Sequence, residues 1–400
     1  MNLVYITHAY PRSEGDVAGV FVERLVLALH QRNPSIHVVA PSDRGRGRGA
    51  GTGTGAGGSE QLHGIPISRV RYAPAWRETL AYTGTMVEDA RSPLGALAAA
   101  NLMRAQAAEV GRLCRAAPVD VVHAHWWVPG GVSAWWSRTA AKPPYIVTVH
   151  GTDVRLLDRS RLARAVARRV FRQAAAVTAV SSYLAERVAQ MTGIDAARIV
   201  VQPMPVDVAH FNRLSQGGGG IVSVGRLTKQ KNLDVVLLAL AELKRDGIDV
   251  PLRLIGDGPE RDNLKARAKS LNLLDRVEFA GAVEPDEVTR AVGDADVSVF
   301  AATQEGFGLA AAESLMLGVP VVALESGGGV KEVVPESGAG RLVPDGNPKA
   351  MAGAIAGFLQ DDTGRHLAAE RGRTLKRQLE PGAVAAVFES LYEDARASQR

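Results

Sequence analysis

A single cysteine, Cys114, is found in 400 residues. This excludes a disulfide framework and a cysteine-built metal cluster, and it suits a reducing compartment. No uninterrupted apolar run reaches the roughly 18–20 residues that a membrane-spanning helix needs. The opening "MNLVYITHAYPR" is apolar for only a few positions and has no basic lead. It reads as a first β-strand and not as a signal peptide. Repeats of solenoid length are missing, as is any recognised nucleic-acid-binding module. These absences predict a cytoplasmic protein with no nucleic-acid partner. Acidic residues are scarce in the first half. Residues 1–205 hold 24 Lys+Arg against 14 Asp+Glu, a balance of +10, whereas residues 206–400 hold 23 against 28, or −5. The first half is therefore built to meet something anionic, an acceptor or the inner face of the plasma membrane.

What is present is alternation. Apolar, strand-like runs ("LVYITHA", "IHVVAP", "DVVHAH", "YIVTVHG", "AVTAVS", then "IVSVGR", "VPLRLIGDG", "RVEFAG", "DVSVFAA", "VPVVAL") are separated by segments of helical periodicity such as "NLDVVLLALAELKRDG". Alternating β and α units give an α/β fold, with parallel sheets covered by helices on both faces. Some ten strands exceed one ordinary sheet, and 400 residues exceed one ordinary core. Two doubly wound domains are expected, 1–205 and 206–375, with a last helix over 376–400 that packs back on the first. The Gly/Arg-rich stretch 44–59, "RGRGRGAGTGTGAGGS", is expected to be a mobile loop, because it cannot bury enough apolar surface to offset its ordering entropy.

The segment "QEGFGLAAAES" (304–314) contains Gly306, Gly308 and Ala311, spaced as in a dinucleotide-binding fingerprint, and Glu325 lies 19 residues after Gly306. A dehydrogenase loop is one reading. Against it, "TQE" separates the strand from the first glycine, and the motif falls late in the chain. The other reading uses both carboxylates. Glu313, about one and a half turns into a helix starting near Gly308, can accept two ribose hydroxyls, while Glu305 faces a sugar beyond the phosphates. The backbone N–H groups from Phe307 through Leu309 to Ala310 open that helix and favour an anion. Further upstream, "VSVGRLTKQKNLD" sets Arg226 and Lys231 in a loop that follows a strand. One guanidinium fork and one ammonium there suit a diphosphate without a metal.

"GRLTKQKNLD", "LIGDGPERDNL", "ADVSVFAATQEGFGLAAAESLMLGVPVVA", "SGGGVKEVV" and "GRLVPDGNPKAMAGAI" follow in that order. Together they resemble the C-terminal half of the retaining, GT-B-fold glycosyltransferases of group 1 and family 4 that use nucleotide sugars. "YPRSEGDVAGVFVERLVLAL", "DVVHAHWWVPGG" and "TVHGTD" resemble the acceptor-side loops of the same family. The resemblance implies two Rossmann-like domains facing a cleft, a nucleotide-sugar donor (UDP ahead of GDP), a hydroxyl acceptor that is anionic or lipid-linked, and no cofactor or metal. It implies that Glu305 stabilises charge near the anomeric carbon and that Glu313 binds ribose. Arg226 and Lys231 would bind the diphosphate, and backbone near Ala282 and Val283 the base. His150 would lie beside the reacting centre, with Gly306, Phe307, His125 and Asp153 lining the sugar or acceptor cleft. Where members often carry paired glycines after the first strand, this chain separates Gly15 and Gly19, and that loop is expected to approach the diphosphate. The alternatives are a non-hydrolysing nucleotide-sugar epimerase of the same fold and, more remotely, an NAD-dependent oxidoreductase.

Three motifs compete with this reading. Asp294 and Asp296 match a metal-binding D-x-D but sit between a helix end and a strand start, which reads as structural. His123 and His125, two apart on a strand, have zinc-like spacing but lack a third ligand nearby. The stripe Arg161, Arg164, Arg168 and Arg172 in "RSRLARAVARRVFRQ" (159–173) is either a solvated helix face or a surface for anionic lipid or acceptor.

Overall fold

The computed structural model describes residues 1–32, 35–43, 59–82, 86–137, 143–212, 215–334 and 338–398. The Gly/Arg-rich stretch thus lies outside the described residues except for Ser59. The chain divides into two compact units, Met1–Val206 with Pro381–Arg400, and Asp207–Glu380.

The first unit holds β1 (Leu3–Ile6), β2 (Ile36–Pro41), β3 (Ser59–Leu62), β4 (Ile65–Val70), β5 (Val121–His125), β6 (Tyr145–Val149), β7 (Ala176–Ala179) and β8 (Ile199–Val201). They form one sheet in the order β3-β4-β2-β1-β5-β6-β7-β8, parallel except for the β3–β4 hairpin at its edge. The second unit holds β9 (Ile221–Val224), β10 (Leu252–Ile255), β11 (Val277–Gly281), β12 (Val297–Phe300), β13 (Val321–Leu324) and β14 (Gly340–Val343). They form a parallel sheet ordered β11-β10-β9-β12-β13-β14. That is the doubly wound order, and it reverses between β9 and β12, as the first sheet's does between β1 and β5. Ligands in such sheets bind beyond the carboxyl ends of the strands at the reversal.

All ten sequence-expected runs form strands, and the structure adds four further strands, β3, β4, β8 and β14. These four lie at or next to sheet edges, where short or half-polar segments such as "SEQL" and "GRLV" suffice because one side meets no partner strand. Central strands behave oppositely. β1, β5 and β6 are buried at every position, because helices cover both faces of a parallel sheet.

The helix Pro381–Ala397 belongs to the first unit's core. Val384, Ala385, Phe388, Tyr392 and Ala395 form its buried stripe. Phe388 lies 5.1 Å, ring centre to ring centre, from His123 on β5, and Tyr392 hydrogen-bonds Tyr5 on β1. Truncating so large a fully buried ring leaves a cavity. Phe388→Ala is expected to cost about 3–5 kcal/mol, read as a lowered denaturant midpoint for the first unit.

Candidate functional site

In the second unit, the carboxyl ends of β9 and β12 carry two loops. The loop after β9 holds Gly225, Arg226 and Leu227 and is clamped to the turn after β10. Gly225 N donates to Ile255 O (2.9 Å), Leu227 N to Asp257 O (3.0 Å), and Glu260 N to Leu227 O (3.0 Å). Arg226 stands exposed on this fixed backbone. The loop after β12 is held by the 326–329 segment that follows β13. Gln304 N donates to Ser326 O (2.9 Å), Glu305 N to Gly327 O (3.1 Å), and Gly329 N to Glu305 O (2.9 Å).

Between these loops Lys231 Nζ donates to Glu305 Oε1, in a half-buried ion pair that spans the reversal point of the sheet. Three residues after Glu305, Gly308 takes φ +93 and caps the helix Leu309–Met316 with no side-chain cap bond. A Cβ at Gly308 would lie 2.9 Å from Val330 Cγ2, so glycine is required both by the left-handed backbone and by packing. Phe307 is buried and Gly306 half-buried at this corner. Glu313 sits half-buried on the same helix. Val283 follows β11, the edge strand two places from β9, at the carboxyl end of the same sheet. Five residues, 301–305, separate β12 from Gly306. The glycines therefore do not end the strand as a dinucleotide turn requires. Asp296 accepts from Gly218 N and Gly220 N, both 2.8 Å, and from Arg365, which makes it a structural anchor of the chain entering β9.

In the first unit, the loop after β1 is pinned through Asp16. Its carboxylate accepts from Arg12 N (3.0 Å), Arg12 Nε (2.6 Å) and Ala18 N (3.1 Å). The two sequence-named glycines differ there. A Cβ on Gly19 (φ +76) would lie 2.3 Å from Ala9 O, whereas one on Gly15 would meet nothing within 4 Å. Gly19 is fixed by packing, and Gly15 faces open space.

The same unit gathers histidines where β5 and β6 end. His123 is wholly buried and fully used. Its Nδ1 meets Tyr392 Oη and its Nε2 meets Thr148 Oγ1, each at 2.7 Å. His125, also 0 % exposed, bonds through Nδ1 to His150 Nε2 at 3.0 Å. Its Nε2 has no partner among the described residues, nor has His8 Nδ1. Trp126 lies 4.4 Å from the His150 ring and 3.9 Å from that of His8, with Phe21 5.2 Å from His150. Burial drives the His125 pKa down to about 3 and the His8 pKa to about 4. It also holds His123 and His150 well below the usual imidazole value.

Asp153 is spent on backbone. Its carboxylate accepts from Trp127 N (3.0 Å), His150 N (3.1 Å), Gly151 N (3.0 Å) and Val154 N (3.0 Å), while burial pushes its pKa up. Asp153 thus seats the two loops that carry His150 and Trp127. Sequence reasoning does not single out Trp126, Tyr392, Thr148 or Phe21. The one available signal is a pair of histidines in a strand too central to be wet, which demands buried partners. On the helix Arg161–Gln173, Arg161, Arg168, Arg169 and Arg172 are exposed. Arg164 turns back, its Nε donating to Leu157 O at 2.7 Å. Among the described residues no group of His, Cys, Asp and Glu is arranged to hold a metal, and no helix is long and apolar enough to cross a membrane.

The wholly buried pair His123 and His125 makes stability depend on pH. Both rings are neutral when folded and take up protons near pH 6.5 when unfolded. The unfolded chain therefore binds more protons below that value, and stability falls as pH drops from about 6.5 towards the folded pKa, near 3 for His125. Each ring contributes up to about 1.4 kcal/mol per pH unit in that window. Calorimetric melting between pH 7 and pH 5 should show a falling midpoint, with a shallower slope in His123→Gln. A flat midpoint would contradict the neutral, buried rings.

Comparison with known proteins agrees with this architecture. The family model for Glycosyltransferase Family 4 matches residues 18–210, and that for Glycosyl transferases group 1 matches residues 211–375. The D-inositol 3-phosphate glycosyltransferase of Corynebacterium glutamicum is 30% identical over 310 residues, covering 70% of this chain and 73% of that one. The N-acetyl-alpha-D-glucosaminyl L-malate synthase of Bacillus anthracis is 24% identical over 303 residues, 72% of this chain and 78% of the relative. Among solved structures, Anabaena HepE in complex with UDP superposes with a TM-score of 0.71 at 20% identity, over 98% of this chain and 100% of the other. The two matched segments follow one another along nearly the whole sequence, and both units are Rossmann-like parallel sheets. The chain belongs to the family 4, group 1 glycosyltransferases and has their GT-B fold.

Proposed function

We propose that this glycosyltransferase works in the cytoplasm and moves a sugar, with retention at the anomeric carbon, from a nucleoside-diphosphate sugar to a hydroxyl acceptor in polysaccharide, glycolipid or glycoconjugate biosynthesis. Uridine is the preferred base, and the HepE complex with UDP offers a precedent on the same fold. The observation that carries the reading is the Lys231–Glu305 pair at the reversal of the second sheet, three residues before an uncapped helix start.

A Lys ammonium has three hydrogens, so Lys231 can keep Glu305 and still take a phosphate oxygen. Arg226 and the amides after Gly308 share the remaining charge. As the sugar–phosphate bond breaks, negative charge grows on the departing diphosphate, where these groups are already oriented. Two cations and a helix start make a metal unnecessary. Glu305 stabilises the positive charge that develops on the sugar, Glu313 holds the ribose hydroxyls, and backbone near Val283 flanks the base. On the acceptor side, His150, held by the buried His125 and seated by Asp153, lines the sugar or acceptor pocket. Retention follows from front-face attack, in which the acceptor oxygen bonds to the anomeric carbon and its proton passes to the departing phosphate oxygen. Two relatives are named for acceptors that are anions, L-malate and inositol 3-phosphate. That supports an anionic acceptor for the basic first unit, with the exposed arginines of the helix Arg161–Gln173 facing it or an anionic membrane surface.

A thermal-shift panel of nucleotide sugars should raise the melting temperature with UDP-sugars first, since binding to the folded state stabilises it. In calorimetric titration with UDP, Glu313→Ala is expected to weaken binding by about 1.5–3 kcal/mol through lost charge-assisted bonds. Glu305→Ala should instead depress turnover more than affinity. Unchanged UDP affinity in Glu313→Ala would remove the ribose assignment.

A further inference from the structure

The histidine pair at the ends of β5 and β6 contains more information than proximity. His125 Nδ1 and His150 Nε2 lie 3.0 Å apart, a hydrogen bond between two neutral rings. One nitrogen must carry the proton and the other must accept it. If His150 donated, His125 would bear its own proton on Nε2, an N–H buried with no acceptor among the described residues. If His125 donates, the orphaned Nε2 is a bare lone pair. A buried N–H without an acceptor is the rarer and costlier state, so His125 Nδ1 is the hydrogen-bond donor.

From this geometry we infer that His125 is a positioning residue that locks His150 in the Nδ1–H form, so that His150 offers a substrate a neutral hydrogen-bond donor and not a base. Which ring nitrogen of a histidine holds the proton is set by the bond that the other nitrogen makes. His150 Nε2 accepts from His125, so its proton sits on Nδ1. His150 is half-buried and this nitrogen is not among the buried, unpartnered polar atoms, so its N–H is open to water or a substrate where one on His125 Nε2 would not be. The rest of the pocket holds the ring in place. Trp126 and Phe21 pack against it at 4.4 and 5.2 Å, and Asp153 fixes its backbone N–H at 3.1 Å. The low imidazole pKa values support neutrality throughout the physiological range. Such a ring would bind a sugar hydroxyl or ring oxygen by donation and would take no proton from the acceptor. This agrees with the proposed front-face attack, in which that proton leaves with the phosphate. The tautomer rests on the histidine pair alone, and the catalytic meaning rests on the proposed function.

The test is nitrogen-15 NMR of the full chain, labelled on histidine and without ligand, at neutral pH. His150 is assigned by the signals lost in His150→Gln. A histidine side chain free in water favours the Nε2–H form, so the two outcomes are distinct. The expected result is a protonated Nδ1 and a bare Nε2 at His150, with Nε2 bare at His125. A His150 ring protonated on Nε2 would overturn the inference. In His125→Leu the His150 preference should shift towards Nε2–H, and an unchanged Nδ1–H form would show that His125 does not set it. If that variant fails to fold, the coupling between the two ring nitrogens across the hydrogen bond, read in the unaltered chain, decides which one holds the proton. Because no nucleotide sugar takes part in this measurement, a failed tautomer leaves the proposed function to be decided separately by the titration with UDP.

Discussion

A central strand of a parallel sheet has no wet face, and most of this molecule's chemistry follows from that. Polar side chains in such strands have only the interior to bond with. His123, Thr148 and Thr178, joined by Tyr392 from the last helix, form one connected chain of hydrogen bonds, whereas the buried Ser298 hydroxyl on β12 has no partner among the described residues. Side chains at a strand's carboxyl end escape the rule, because the backbone there turns out of the sheet. His125 stands on the boundary. It is the last residue of β5, buried, with one nitrogen bonded and one orphaned. The second unit meets the same constraint differently, since β9 and β12 carry no titratable residue and their charges begin only in the loops that follow.

The same strand reversal thus supports two chemically opposite places. In the first unit its centre is a cluster of neutral imidazoles packed among Trp126, Phe21 and Tyr5. In the second unit it is ionic, with Lys231 and Glu305 directly paired. Overall charge runs the other way, positive over residues 1–205 and negative over residues 206–400. Any attraction for a diphosphate in the acidic half must therefore be local, from a few oriented groups, because the surrounding field opposes it.

The fold was legible in the sequence to the extent that strands were buried on both faces. "DVVHAH" and "DVSVFAA" stand out because few polar residues interrupt their apolar runs. "SEQL" and "GRLV" carry no such signal, and edge strands can be written in almost any residues. At the candidate site, the charged loops were readable because Arg226, Lys231, Glu305 and Glu313 follow strands at short range. The direct pairing of Lys231 with Glu305 was not readable, since 74 residues separate them in the chain. Asp153 shows the opposite limit. Its place after "TVHG" suggested a pocket lining, yet four backbone amides claim its carboxylate, and only three-dimensional structure reveals such an allocation.

The return of residues 381–397 to the first unit sets an order on how this protein can be born. While a ribosome is still making the second unit, β1 through β8 are already synthesised, but the groove for Phe388 and Tyr392 stands empty. His123 then has no phenol for its Nδ1, and an apolar stripe along the sheet remains wet. The later-made half contains its whole core within one continuous stretch, Asp207–Glu380, and can mature as soon as it emerges. The half synthesised first is completed last.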